Sequence, residues 1–340
     1  MKKIVLLLII IIVLGIFIHT IKVPNTNRIE SEIVSDVTPP VLEIEKDKVI
    51  LAVGNEFNKN VKATDDVDGD ISDKVTVEGN IDTSKEGTYE IKYVAQDSSG
   101  NKAEKNQEVE VRKKLENGLP VLMYHFFYSK DDPNYAGKTP DNNVLMVEKF
   151  TEQMDYLLED NFYFPTWQEV EDYVDGKINL PEKSVVITDD DGNHTFFALA
   201  VPVIEERKIP VTSFVITGWY EERLDEKYEY VNYQSHSDDM HKSGASGKGA
   251  MVNWNYTDIV NDLNNSKNKI ESHTGKTCNI FCYPFGHYND TAFKALEDTG
   301  YNLAFTVEGG KVKPGLNKLK LPRVRVNGNT SLTEFKNSVK

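Results

Sequence analysis

Three consecutive carboxylates, Asp189, Asp190 and Asp191, followed at once by Gly192, are the residues of this sequence best placed to do chemistry. They close a short apolar run, Ser184 to Thr188, that reads as a buried strand. Adjacent carboxylates at a strand end repel one another unless a cation or a shared proton relieves them, and a divalent metal would do so. The polar segment Ser235-His236-Ser237-Asp238-Asp239-Met240-His241 adds two imidazoles, and its polarity predicts a position outside the core. Two histidines and one carboxylate make a mixed nitrogen and oxygen set that suits zinc, with a fourth position open to water. His125 ends an earlier apolar run, Pro120 to Tyr124, and Phe281-Cys282-Tyr283-Pro284-Phe285-Gly286 closes a later one. Singly, the Asp run reads as a solvated turn and each histidine as a surface residue. Their joint occurrence where apolar runs stop favours a site.

The elements around them alternate. Glu148 to Asp160 places Phe150, Met154, Leu157 and Leu158 at helical spacing, Phe197 to Arg207 reads as a second helix, and Val211 to Ile216 as the strand after it. Repeated β-α units of this length imply a parallel sheet or barrel with helices outside, whose sites lie at the C-terminal ends of the strands. Upstream, Val41 to Val111 alternates apolar and polar residues in short runs divided by turn residues, which predicts a small antiparallel β-sandwich. Its Asp65-Asp66-Val67-Asp68-Gly69-Asp70 stretch offers oxygens to calcium, but the spacing is not that of a helix-loop-helix site and reads as a solvated turn. The expected fold class is therefore multidomain, an all-β sandwich followed by an α/β domain, with a hinge at 113–118.

In a chain of 340 residues with 54 acidic and 39 basic side chains, the net charge of −15 repels phosphate backbones, so nucleic acid is excluded as a partner. The two cysteines, Cys278 and Cys282, would stand ~13 Å apart on a strand, too far to bridge, and read as free core thiols. Lys2 and Lys3 precede an unbroken apolar run from Ile4 to Ile18. That is an export signal, and without a small-x-small cleavage site it reads as an anchor over 1–21. The two lysines keep the N-terminus inside and put the rest extracytoplasmic, with the cytoplasmic membrane as a partner. Residues 22–37 then form a stalk, 38–113 the sandwich and 114–340 the α/β domain.

Thr188-Asp189-Asp190-Asp191-Gly192 resembles the Thr-Phe-Asp-Asp-Gly motif of polysaccharide deacetylases, the NodB-homology group of carbohydrate esterases. Ser235 to His241 resembles its second motif, and the five-residue histidine spacing is similar to the branch acting on exported poly-N-acetylglucosamine. Pro120 to His125, Tyr283-Pro284-Phe285-Gly286 and Leu321-Pro322-Arg323 fit that circularly permuted branch, in which the strand carrying the catalytic histidine comes first. The Asp-rich sandwich segment, with Asp82 to Tyr89 and Asp97 to Asn101, resembles bacterial immunoglobulin-like surface modules, which assigns it to spacing or wall contact.

The resemblance implies a distorted (β/α) barrel of NodB type. It implies that Asp191, His236 and His241 hold Zn2+, or Ni2+ or Co2+, that Asp190 is the general base, that His125 is the general acid, and that the Phe285 N–H helps hold the oxyanion. The implied reaction removes acetyl groups from an N-acetylated envelope polysaccharide, peptidoglycan or poly-N-acetylglucosamine. Two departures stand out. Asp189 replaces an apolar aromatic and is expected to raise a neighbour's pKa, and Cys282 replaces an arginine that orients the catalytic aspartate, for which Arg323 or Arg325 could compensate. The alternative implied by Asp189 is a wall-binding protein with the fold but little turnover. Trp219, Tyr220 and Trp254 read as core aromatics before sugar platforms, and His194, His273 and His287 as structural.

Overall fold

The computed structural model describes residues 36–136, 141–244 and 247–340. The expected anchor at 1–21 lies outside the described residues, as does the expected stalk except for its last two residues. Among the described residues no helix is long and apolar enough to cross a membrane.

The N-terminal unit is a sandwich of two sheets. Strands β1 (Val41–Ile44), β3 (Val61–Asp65) and β4 (Gly69–Asp70) form one, and β2 (Lys48–Ala52), β7 (Lys102–Arg112), β6 (Gly87–Gln96) and β5 (Thr76–Glu78) the other. Alternate residues point inward, so that Ala63, Ile91, Tyr93, Ala95, Val109 and Val111 make the core while Lys92, Glu104 and Glu108 face water. The expectation of a wholly antiparallel sandwich fails at one pair: β2 runs parallel to β7, because β2 enters beside the last strand from the same end.

The second unit is a closed barrel of seven parallel strands in the order β11 (Val186–Asp191), β12 (Val211–Val215), β13 (Val231–Ser235), β14 (Ile280–Cys282), β15 (Leu303–Gly309), β16 (Leu321–Arg325), β8 (Val121–Tyr124). The barrel's first strand, β8, therefore closes it between the last strand, β16, and β11. The barrel is distorted: β13 meets β14 at the single pair Ser235–Phe281, and the β15–β16 register slips. One side-chain set fills the interior, including Val121, Val186, Phe214, Phe305 and Leu321. The alternate set, including Leu122, Ile187, Val215 and Phe281, packs under the helices. Burial on both faces explains why these strands read as continuous apolar runs.

Helices α1 (Val147–Glu159), α2 (Trp167–Val174), α3 (Val201–Arg207), α4 (Thr217–Tyr220), α5 (Tyr256–Thr274), α6 (Asp290–Asp298) and α7 (Leu332–Ser338) accompany the strands, and β9 (Phe126–Tyr128) pairs with β10 (Val144–Met146) beside them. The helix expected from Phe197 instead opens with a π-helical turn, Phe196–Ala200, before α3. The strand expected to end at Thr188 runs on through all three aspartates.

The two units are joined by polar contacts. Asn55 and Asn179 bond reciprocally, the Asn55 amide donating to the Asn179 carbonyl at 2.9 Å and the Asn179 N–H to Asn55 Oδ1 at 2.8 Å, and Arg112 donates to the Asn161 carbonyl at 2.8 Å. Asn161 and Asn179 lie in segments that lead into β11, so the sandwich holds the barrel by the end where that strand begins. Among the described residues, none of the sandwich's residues lines the cleft at the mouth where the strands finish.

Candidate active site

Every candidate catalytic or metal-holding side chain named from the sequence lies at the C-terminal mouth of the barrel. Asp190 and Asp191 end β11, His125 follows β8, His236 follows β13, and His241 and Phe285 come from the next loops. Together with Trp219 and Lys242 they line a cleft of about 660 Å³. His236 departs from expectation, because it is only 2% exposed and its loop is packed inward.

The loop is bound from below. Asp262 of α5 accepts from the N–H groups of Asp238 and Asp239 at 2.8 and 2.7 Å, and Ser235 Oγ accepts from the Ser237 N–H while sharing a 2.7 Å hydrogen bond with Ser266 Oγ. Backbone strain concentrates here as well: among the described residues, three of the six non-glycine positions with positive φ are Asp191, Ser237 and Phe285. After Asp191 the chain needs a second positive φ, 64° at Gly192, where a Cβ would stand 2.9 Å from Val215 Cγ2. Only glycine fits that turn without displacing β12.

Asp191 Oδ1 lies 3.4 Å from His236 Nε2 and 3.3 Å from His241 Nε2, and it is a buried oxygen with no hydrogen-bond donor. One donor atom from each of the three residues falls within 4.8 Å of the others. Ligands ~2.1 Å from one tetrahedral ion stand about 3.4 Å apart, so the spacing fits a shared divalent metal. The imidazoles are prepared for it. His236 Nδ1 lies 2.8 Å from the Cys282 carbonyl oxygen, an acceptor that keeps a proton on Nδ1 and turns Nε2 towards Asp191. Burial and the neighbouring His236 push His241 down to about 4, so it is neutral at physiological pH.

Asp190 is set apart by Arg323, a wholly buried guanidinium that grips it with two 2.7 Å hydrogen bonds. The remaining donors of Arg323 go to Thr188 Oγ1, the Thr306 carbonyl and Cys282 Sγ. Burial alone would raise the Asp190 carboxyl, but Arg323 outweighs it and holds the group well below the usual carboxylate range. His125 Nε2 stands 3.8 Å from Asp190 Oδ2. Burial lowers the His125 pKa against the opposing pull of Asp190 and Asp191. Its backbone is fixed by Asn193, whose amide donates to the His125 carbonyl at 2.8 Å.

Of the two departures, Asp189 resolves differently from expectation, while the place of the missing arginine is taken by Arg323, one of the two residues expected to compensate. Asp189 points away from Asp190, accepting a 3.0 Å hydrogen bond from Ser213, and burial followed by the Asp190 charge pushes its own carboxyl well above the ordinary value. The extra proton is thus carried by Asp189 and not by the candidate base. Cys282, a thiol pushed up by burial, makes room for Arg323, which reaches Asp190 from β16; Arg325 instead bonds Asn143 at the surface.

Among the other residues, Trp219 is 51% exposed, a correction to its reading as core, and its ring stands edge-on to His241 at 5.6 Å between centroids. Phe285 packs against the His241 ring at 4.4 Å between centroids. Tyr220 and Trp254 pack partly buried against the core, and His273 bonds Asp225 far from the cleft. His287 accepts from the Gly249 N–H, and His194 lines a neighbouring groove. Asn193 and Asp262 were not singled out from the sequence; for Asn193 the only signal was its position directly after the Asp-Gly turn.

Residues 177–304 match the family described as polysaccharide deacetylase, and residues 44–111 match the bacterial surface protein Ig-like domain. A poly-beta-1,6-N-acetyl-D-glucosamine N-deacetylase of Staphylococcus aureus is 27% identical over 225 residues, covering 62% of this chain and 74% of that protein. The solved structure of IcaB from Ammonifex degensii is similar at 27% identity and a TM-score of 0.55, covering 66% of this chain and 97% of that one. The Streptococcus pyogenes deacetylase PplD in complex with acetate shares the fold at a TM-score of 0.58 and 21% identity, over 66% of this chain and 98% of that one. A barrel closed by its first strand, an aspartate–histidine cleft at its mouth and these matches agree: the chain carries a NodB polysaccharide deacetylase domain behind a bacterial surface Ig-like domain.

Proposed function

We propose that the chain is a metal-dependent N-deacetylase of an N-acetylglucosamine polymer of the cell envelope, with poly-β-1,6-N-acetylglucosamine as its substrate. The observation that carries this reading is the convergence of Asp191, His236 and His241 at ligand spacing beside an ionised Asp190. The activity named for the staphylococcal relatives supports the choice of polymer.

A zinc, nickel or cobalt ion held by those three residues would polarise the acetamide carbonyl and lower the pKa of the attacking water. The rest falls to the chain's own groups. Asp190 is ionised and oriented by Arg323, so its Oδ2 takes the proton of the water as the new C–O bond forms. His125, unprotonated beforehand and 3.8 Å from Asp190 Oδ2, is assigned to take up that proton once the two groups close on the substrate and to pass it to the amide nitrogen as the C–N bond breaks. The amine then leaves neutral with acetic acid, whose remaining proton passes to the amine, so the products are acetate and the protonated amino sugar. The Phe285 N–H is assigned to the oxygen that gains charge, and Trp219 offers its exposed face to a sugar ring.

The alternative of a wall-binding protein without turnover rested on Asp189 spoiling the base. The Asp189–Ser213 hydrogen bond and the Arg323–Asp190 pair both favour turnover. We place the unit boundary at 113/114, since Arg112 ends β7 and Lys114 already pairs with Pro181. The sandwich serves as a spacer, and the N-terminal run as an anchor that leaves both units extracytoplasmic.

The test is acetate release from acetylated β-1,6-linked glucosamine oligomers, with chito-oligosaccharides and peptidoglycan in parallel and Asp190→Asn as control. Release from the β-1,6 oligomers that disappears in the variant supports the proposal. No release from any polymer, or equal release by the variant, overturns it.

A further inference from the structure

A second cluster of oxygen ligands lies far from the cleft, at the N-terminal edge of the sandwich. Carboxylate oxygens of Asp36, Asp65 and Asp66 converge within 4.8 Å of one another. The acidic groups around them are spent on the fold. Asp68 accepts from the N–H and hydroxyl of Ser98, and Asp97 accepts from the N–H and side-chain amide of Asn101. The same Asn101 amide donates to the Asp36 carbonyl at 3.2 Å, which holds the chain just before β1 against the turn between β6 and β7, itself tied to the turn after β3 by the Ser98–Asp68 hydrogen bonds.

Asp65 differs from those neighbours. Its Oδ1 closes the turn by accepting from the N–H groups of Val67 and Asp68 at 3.1 and 2.9 Å. Its Oδ2 is buried without any donor, on a residue only 9% exposed. Among the described residues, none of the three carboxylates has a lysine or arginine within ion-pair distance. A buried carboxylate oxygen with neither donor nor counter-charge, next to two further carboxylates, is costly unless a cation sits there. All the donors are oxygen and none is nitrogen or sulfur, which selects a hard ion. Three carboxylates on a loop and an incoming chain suit the flexible shell of calcium better than the strict octahedron of magnesium.

We propose that Asp36, Asp65 and Asp66 bind a calcium ion that fastens the chain entering the sandwich to the turn between β3 and β4. The sequence alone favoured a solvated turn for this stretch; the orphaned Asp65 Oδ2 and the return of Asp36 change that reading. The site takes calcium with the weak affinity of extracellular modules, a Kd of about 10⁻⁴ to 10⁻³ M. Calcium thereby stiffens the junction between the sandwich and whatever precedes it.

The inference is independent of the deacetylase reading, and its test keeps the two metal sites apart. Calcium is titrated by calorimetry into chelator-treated protein carrying Asp191→Asn, with Asp65→Asn and Asp66→Asn added singly. Asp65→Asn keeps an Oδ1 acceptor for the turn, and Asp66 is exposed, so both variants retain the fold, which circular dichroism checks. The expected result is one calcium per chain, weakened about tenfold or more by either substitution, with magnesium at least tenfold weaker. Binding that is unchanged in both variants, or no binding up to about 10 mM calcium, overturns the proposal.

Discussion

Arg323 and Asp190 are 133 residues apart in sequence and meet in the barrel interior through two parallel 2.7 Å hydrogen bonds. Both are buried, at 0% and 2% exposed. Breaking such a pair from one side leaves an uncompensated charge and costs about 3–5 kcal/mol. Arg323→Met is therefore expected to be destabilised by that amount at pH 7. Asp190 has a depressed pKa in the folded state, so the stability it lends is present above about pH 4 and is lost as pH falls through the folded value. In the variant the Asp190 pKa rises, and the acid limb of kcat/KM moves to higher pH. Urea unfolding and a pH–rate profile read the two effects; an unmoved acid limb would separate Arg323 from the base.

Asp189 gives the opposite dependence. Its folded pKa is raised, so the folded state holds a proton that the unfolded chain releases, and stability falls as pH rises from about 4 towards the folded value. Asp189→Asn keeps an acceptor for Ser213 and removes that titration. Its stability relative to the parent should grow steadily between pH 4 and 7 while acetate release is retained. A difference that does not change with pH contradicts the assignment of the proton to Asp189.

His125→Ala is expected to lower kcat by about 10²–10⁴-fold, since an amide nitrogen that has gained no proton leaves poorly. The side chain is not among the proposed ligands, so the metal content of the variant should equal that of the parent. Lost metal would make His125 a ligand and remove it as the acid.

Much of this site was legible in the sequence, for a physical reason. Asp190, Asp191 and His125 sit where apolar runs stop, and in a parallel barrel the stops share one mouth. His236 and His241 carried a readable spacing, although the burial of His236 was not foreseen, because a polar tripeptide gives no sign of an α5 carboxylate waiting beneath it. The direction of Asp189 depends on whether it falls on the outer or inner set of β11 residues and on Ser213 lying opposite in register. The partner of Asp190 depends on which strand closes the barrel. Both are properties of pairing between distant segments. The parallel β2–β7 pair was hidden for the same reason.

Asp262 is expected to act through the histidine loop. Removing its two N–H acceptors in Asp262→Ala should weaken metal binding by about 10–100-fold, as loss of an outer support does. Competition against a chromophoric chelator measures this. Affinity equal to the parent would show that the loop holds itself.

The central claim is that Asp191, His236 and His241 hold the metal on which turnover depends. It is tested by acetate release from acetylated β-1,6-glucosamine oligomers as zinc is titrated into chelator-treated protein, parent against His241→Ala. The account predicts activity that returns in the parent at one equivalent, and that at the same zinc stays below about a hundredth in the variant. Full activity in the chelated parent, or restoration of the variant at one equivalent, contradicts it.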